Sequence, residues 1–131
     1  GGSARTAGLN LTSNAEDTIM SMRAHEIADI ELRRRAHGKL YEEFVRAGSM
    51  SLGLYVLPAG GIDPQQPHTE DEVYVVMRGR GRITVSGEER EVGPGSVVFV
   101  PAQAEHRFHG ITEELSIVVM FAPAEYSRRE S

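Results

Sequence analysis

Two short segments of the chain carry histidine and carboxylate side chains at spacings that suit a metal site. The first runs from Gln66 through His68 to Glu72, and the second contains His106. Because side chains alternate faces along an extended chain, Gln66, His68 and Glu72 can point to one side. Two imidazoles and one carboxylate suit non-haem iron, zinc or manganese with open coordination positions. We therefore predict His68, Glu72 and His106 as ligands, with Gln66 as a neutral donor.

Three further polar residues near these segments are weaker candidates. Glu70 and Asp71 could act as alternative carboxylate ligands, but an acidic turn before a strand is more typical of solvated surface. His109 has the opposite parity to His106 in an extended strand, so we expect it to face away from the pocket.

Several other kinds of site are disfavoured by the sequence. The chain has no Cys, which excludes disulfides, thiolate metal sites and thiol catalysis together. It also lacks a Gly-x-Ser-x-Gly elbow, so covalent acyl chemistry is not expected. The run Arg33-Arg34-Arg35 is flanked by acidic residues and is predicted to form a charge-balanced solvated face rather than a phosphate site.

The length and charge of the chain limit what surrounds the candidate site. At 131 residues we expect one domain with one core. Residues 49–131 carry seven basic and twelve acidic residues, so this part of the chain has a net negative charge and would repel nucleic acid. No apolar run approaches the roughly 20 residues needed to span a bilayer. The continuous apolar stretch of a signal peptide is not visible either, and we predict a cytoplasmic protein without membrane or nucleic-acid partners.

Short runs rich in β-forming residues begin near residue 39 and must position the candidate ligands. Gly and Pro separate these runs at close intervals and disfavour a long helix. The pattern predicts an all-β sandwich or closed barrel, and two-sided apolar runs such as residues 73–77 favour a homodimer that covers the outside. The runs are 40–45, 50–57, 72–77, 81–85, 97–100, 105–108 and 115–121, with turns expected at 58–61, 78–81, 86–89 and 93–95.

The first 22 residues differ in composition from the rest of the chain. They are rich in Gly, Ser, Thr, Asn and Ala without periodicity, and the first three are typical of a cloning remnant. A short helical turn capped near residues 14–17 is the one element expected there. We predict a flexible N-terminal extension over residues 1–22 and a single domain over 23–131, with a core barrel at about 39–123.

The two histidine segments resemble the two sequence motifs of the cupin superfamily. Seven of ten motif positions agree. The departures are Gln66 in place of a His, Gln103 in place of a Gly and Gly110 in place of an Asn. The matching positions are Gly60, His68, Glu72 and Gly79 in the first motif and Gly95, Pro101 and His106 in the second.

This resemblance implies a small cupin-type jelly-roll β-barrel, or double-stranded β-helix, that holds one divalent transition metal such as Fe(II), Mn, Ni or Zn. The first-motif residues and His106 would bind the ion, with Gln66 as a weak ligand or an outer-shell partner. The ion and Glu72 would carry a net charge of about +1, which suits an anionic ligand. Tyr74 and Phe108 share parity with ligands and are candidates for contacting the substrate, although core packing would also explain them.

We therefore predict a metal-dependent enzyme that acts on a small, anionic or enolisable molecule. Oxygenase, isomerase and lyase chemistries are all compatible with the site, because this fold hosts many reactions. The alternative is a non-catalytic binding or sensing module, or a helper domain for a partner enzyme. A purely structural dimerisation barrel is a third hypothesis.

Overall fold

The computed structural model describes residues 21–64 and 67–126, and it confirms the predicted all-β architecture. Residues 1–20 lie outside this part, and with them most of the predicted N-terminal extension. Within the described residues one helix precedes six strands. The elements are α1 (Ile27–His37), β1 (Tyr41–Arg46), β2 (Ser51–Leu57), β3 (Asp71–Val85), β4 (Glu88–Val92), β5 (Val97–Val100) and β6 (His106–Ala122).

The strands form one antiparallel sheet that curls on itself. Its order is β1-β2-β6-β3-β4, and β5 pairs with the first half of β3. In the long β3–β6 ladder, Glu72 lies opposite Phe121 and Val85 lies opposite His106. Glu72 and His106 therefore lie at opposite ends of the ladder, yet their side chains are 3.1 Å apart. Only a strongly bent sheet brings these ends together, as in a barrel.

The bend falls where the sequence predicted a hairpin turn, at Gly79-Arg80-Gly81. That prediction is wrong, because β3 continues through these residues to Val85. The ladder shifts register three times between Val76 and Arg82. Gly79 has φ 95°, and a Cβ atom there would lie 2.0 Å from the Glu114 carbonyl oxygen. Glycine thus permits a bulge and a close strand approach instead of a chain reversal.

The two faces of the sheet bury separate apolar clusters. Strand β2 shows the division, because Tyr55 and Leu57 belong to the inner core while Leu54 and Val56 pack with Ile30 of α1 on the outer face. This explains why β2 is apolar on both faces: a helix of the same chain covers it. The inner core consists of Tyr55, Leu57, Tyr74, Val76, Ile83, Val92, Val100, Phe108, Ile111, Leu115, Ile117, Val119 and Phe121.

Helix α1 was not predicted, and its charged side chains form ion pairs both within the helix and with β1. Arg34 and Arg35 both pair with Glu31, and Arg33 pairs with Glu42 of β1. These pairs confirm the prediction of a charge-balanced face. The helix ends at Gly38, whose left-handed conformation is a common C-terminal cap. Among the described residues, no helix has the length and apolar character needed to cross a membrane.

Candidate metal centre

Three of the predicted ligands converge in the barrel interior. One donor atom from each of His68, Glu72 and His106 lies within 4.8 Å of the other two. The cluster is buried, since the side chains of these residues are 10%, 1% and 0% exposed. Glu72 comes from the start of β3, His106 from the start of β6, and His68 from the loop before β3. The structure thus brings together residues that the sequence placed in two separate motifs.

The ring of His106 is oriented by a backbone carbonyl. Its Nδ1 lies 2.9 Å from the Ala104 oxygen, which can only accept a hydrogen bond. Nδ1 therefore carries a proton, and in the neutral form of the ring Nε2 keeps a lone pair. That Nε2 is buried without a hydrogen-bond partner among the described residues and lies 3.1 Å from Glu72 Oε1.

The ring of His68 shows the same arrangement with its nitrogens exchanged. Its Nε2 lies 3.2 Å from Glu125 Oε2, so this nitrogen donates to the carboxylate. Its Nδ1 is buried, has no hydrogen-bond partner in the described part of the chain, and lies 3.7 Å from Glu72 Oε1. The backbone N–H of Gln103 donates to the His68 carbonyl, at 2.7 Å, and ties the loop to the second motif.

A cation accounts for this arrangement better than the side chains do alone. Two imidazole lone pairs and a carboxylate oxygen face one another away from water, and buried polar atoms without partners are costly. Burial disfavours the charged form of His106, but Glu72 and the Ala104 carbonyl outweigh it, and the pKa of His106 is raised. The environment thus favours positive charge at this point. The donor types fit a divalent transition metal with three protein ligands.

Two aromatic residues support Glu72 from the core side. The Tyr74 hydroxyl donates to Glu72 Oε2, at 3.0 Å, which leaves Oε1 directed at the two histidines. Phe108 packs edge-on against Tyr74, with ring centroids 4.9 Å apart. Both aromatic side chains are fully buried. Tyr74 is therefore in contact with a candidate ligand, and Phe108 holds Tyr74.

Two more tyrosines line the interior and differ in their bonding. Tyr55 donates to Asp63 Oδ1, at 2.5 Å, and the other Asp63 oxygen accepts the Phe108 N–H. The Tyr41 hydroxyl is buried without a hydrogen-bond partner among the described residues. Burial, together with the carboxylates of Glu125, Glu43 and Glu72, raises the pKa of Tyr41. The Tyr41 hydroxyl is thus a donor that the described residues leave unused.

The remaining predicted positions have different outcomes. Gln66 is outside the described residues. His109 is outside the cluster, with Nε2 2.8 Å from Thr84 Oγ1. Glu70 was expected to be solvated, and this is wrong: its side chain is 1% exposed and accepts a hydrogen bond from Thr69.

Both departures from the second motif affect backbone conformation. Gln103 has φ 70° and Gly110 has φ 54°, so both lie in the left-handed region. The family pattern has Gly and Asn at these positions, and both residue types adopt this region more readily than others. The backbone shape is therefore kept, with strain at Gln103 alone.

The sequence pattern gave no indication of two residues near the cluster, Glu125 and Tyr41. Glu125 lies 57 positions from His68 and beyond both motifs, so no local spacing marks it. Tyr41 lies in β1, and the sequence does not distinguish it from any other aromatic residue in a strand. A charged residue just after a strongly apolar strand was the one available signal for Glu125.

Comparisons with known proteins bear on the family and the fold of the chain. The family model of the cupin domain matches residues 53–122. An uncharacterized protein of Streptomyces coelicolor is 47% identical over 104 residues, which are 79% of this chain and 99% of that protein. An acireductone dioxygenase of Bacillus cytotoxicus is 27% identical over 103 residues, covering 75% of this chain and 58% of that enzyme. A solved structure from Bacillus halodurans has a TM-score of 0.67 at 18% identity, covering 79% of this chain and 83% of that one.

These matches differ in what they show. The structural likeness at 18% identity concerns the fold alone. The chain spans little more than half of the dioxygenase, so that enzyme's activity is not transferred by the match. The family model covers more than half of the chain, and the Streptomyces protein matches over nearly its whole length. The chain belongs to the cupin superfamily.

Proposed function

We propose that this cupin holds one divalent transition metal through His68, Glu72 and His106 and uses it to bind and transform a small molecule. The supporting observation is the convergence of three electron-pair donors, each oriented by a hydrogen bond on its far side. Such bonds fix the tautomer and orientation of metal ligands. Gln66 occupies the position at which the first motif has a His, and it is proposed as a neutral fourth ligand or an outer-shell partner.

The charges around the site define the kind of ligand. The ion would supply Lewis acidity toward a carbonyl or carboxylate oxygen, or a site for dioxygen if it is Fe(II). With Glu72 alone the centre would carry about +1, but the Glu125 carboxylate beside His68 brings the local charge to about zero. This favours a monoanionic or enolisable substrate over a polyanion. Tyr41 would donate its hydroxyl to that substrate.

Among the compatible reactions, oxygenase chemistry has the most support. The acireductone dioxygenase match covers 75% of this chain at 27% identity. Two histidines and one carboxylate also suit non-haem Fe(II) oxygenases. Isomerase and lyase reactions use the same polarised oxygen without dioxygen. A binding or sensing module would keep the same ligands and catalyse no reaction.

The test is turnover by the protein loaded separately with Fe(II), Mn, Ni or Zn. We expect consumption of a small enolisable carbonyl compound from a defined panel, with oxygen uptake in the Fe(II) form, and loss of both in His106→Ala. The His109→Ala protein is the matched control, because His109 lies outside the cluster. Ligand-induced stabilisation without turnover by any metal form would replace the enzyme with a binding module.

Gln66 has its own test, because the position departs from the family pattern. Replacing Gln66 by His adds an imidazole donor. If the position faces the ion, metal binding tightens, since late transition metals prefer imidazole to a neutral amide oxygen. Metal titration of the two proteins measures the difference. Equal affinity would place Gln66 away from the ion.

We also propose that the protein forms a homodimer through the outer face of β3 and β5. Val97 and Phe99 point outward and are 63% and 59% exposed. They lie opposite Val75 and Val73 in register, so the four side chains share one face. An apolar patch on one face is typical of an interface. Light scattering should give a dimer for the wild type and a monomer for Phe99→Arg, and a monomeric wild type would refute the proposal.

A further inference from the structure

We infer that Glu125 is a positioning residue of the metal centre. Its carboxylate holds the proton of His68 on Nε2 and thereby leaves Nδ1 to bind the ion. The inference rests on the proposed function, because it requires that the cluster of His68, Glu72 and His106 binds a metal. It adds a residue from outside both sequence motifs and makes the segment after β6 part of the site.

The backbone of Glu125 is fixed on both sides. Its N–H donates to Ser51 Oγ, at 2.9 Å, and its carbonyl accepts from Arg46 Nη2, at 2.7 Å. Ser51 begins β2 and Arg46 ends β1, so the segment is docked at these strand ends next to the site. Both bonds are made by the main chain of Glu125. The side chain therefore remains directed at His68 from an anchored position, which preorganises the contact.

The His68 ring is held between two groups. Phe121 packs against it with ring centroids 4.8 Å apart, and Glu125 accepts from its Nε2. Phe121 lies directly opposite Glu72 in the ladder, so the end of β6 leads the chain back over the cluster. A carboxylate that accepts from the remote nitrogen of a metal-binding histidine raises ligand basicity and fixes the tautomer. The hydrogen bond from His68 Nε2 to Glu125 is a contact of this kind.

Glu125 acts through His68 rather than as a ligand in its own right. Its Oε2 is bonded to Nε2, whereas Nδ1, on the other side of the ring, faces Glu72. Within the described residues, Glu125 is not among the carboxylates whose oxygens join the cluster. His68 is thus expected to bind through Nδ1, and His106 through Nε2.

Cobalt(II) titration, followed by the visible absorption of the bound ion, tests the effect on affinity. We expect Glu125→Ala to weaken cobalt binding by about 10- to 100-fold, and Glu125→Gln, which keeps an acceptor, to weaken it less. Glu113→Ala, an exposed carboxylate on β6, is the control and should bind like the wild type. Wild-type affinity in both Glu125 variants would overturn the inference. A wild type that binds no cobalt would refute the proposed function itself.

A second measurement needs neither a variant nor a metal. Long-range ¹H–¹⁵N spectra of the metal-free wild type, at a pH where the ring is neutral, report which nitrogen of His68 carries the proton. We expect the proton on Nε2, and its partial transfer to Nδ1 in Glu125→Ala. A proton on Nδ1 in the wild type would overturn the inference. So would an equal loss of cobalt affinity from Glu125→Ala in a His68→Ala background, because Glu125 would then act without His68.

Discussion

Replacing Tyr41 by Phe should make the metal-free protein more stable. The Tyr41 hydroxyl is buried without a hydrogen-bond partner among the described residues. Removing such a group relieves a desolvation penalty and leaves the ring packing unchanged, so the free energy of unfolding should rise by about 1 kcal/mol. In a domain of about 100 residues this raises the melting temperature by roughly 4 to 5 °C. Thermal and urea unfolding of metal-free protein measure the change.

Tyr55 provides the matched control, because its hydroxyl has a partner. Tyr55→Phe deletes the donor to the buried Asp63 carboxylate and should lower the free energy of unfolding by about 1 to 3 kcal/mol. The same chemical change should thus have opposite signs at two tyrosines whose rings lie 6.1 Å apart. Destabilisation by both substitutions would refute the assignment of Tyr41 as an unsatisfied donor available to a ligand.

Three further predictions concern the backbone and the surface. Gln103→Gly should stabilise the protein by about 0.5 to 1 kcal/mol in urea unfolding, because Gln103 has a left-handed backbone conformation that glycine adopts without steric strain. A loss of stability would contradict this. Gly79→Ala should be strongly destabilising, by about 3 kcal/mol or more, because its Cβ would overlap the Glu114 carbonyl; a folded variant of wild-type stability would contradict the strand assignment. Arg34 and Arg35 lower the pKa of Glu31 from 4.5 to about 2, so its stabilising effect is present above about pH 5 and is lost as the pH falls toward 2. Solvent screening keeps that effect near 1 kcal/mol or less, and the stability difference between wild type and Glu31→Gln should shrink by roughly half or more between pH 6 and pH 3.

The core of the candidate site could be predicted because its information is local. His68 and Glu72 are four residues apart, and His106 has its own motif with Gly95 and Pro101. The two family motifs consist of positions that come together in a cupin barrel. The resemblance therefore predicted that the two segments would be in contact, which the alternation of side chains along one strand could not predict. The structure brings donor atoms of these three candidate ligands within 4.8 Å of one another.

The groups that orient the ligands could not be predicted in the same way. Glu125 reaches His68 only because β6 ends beside Glu72 and the chain after it is anchored by Ser51 and Arg46. These contacts depend on strand register, which leaves no short-range trace in the sequence. The burial of Glu70 was missed for the same reason.

The prediction of secondary structure failed where the local composition and the tertiary context favour different conformations. Helix α1 has Ile30 as its buried residue, and five of its other ten residues are Asp, Glu or Arg, so it lacks the apolar periodicity that marks a helix. Strand β4 is mostly exposed and acidic; its first two residues were assigned to the turn at 86–89, and the other three were assigned to no element. At Gly79 the glycines permit a bulge in a continuous strand, and local sequence does not distinguish such a bulge from a turn.

The metal content of purified protein tests the central claim most directly. Elemental analysis of wild type, His106→Ala and His109→Ala, after loading with one divalent metal and removal of excess ion, gives the number of ions per chain. We predict one ion per chain in the wild type and in His109→Ala, and loss of the ion from a folded His106→Ala protein. Stoichiometric metal retained by His106→Ala would contradict the assignment of the site.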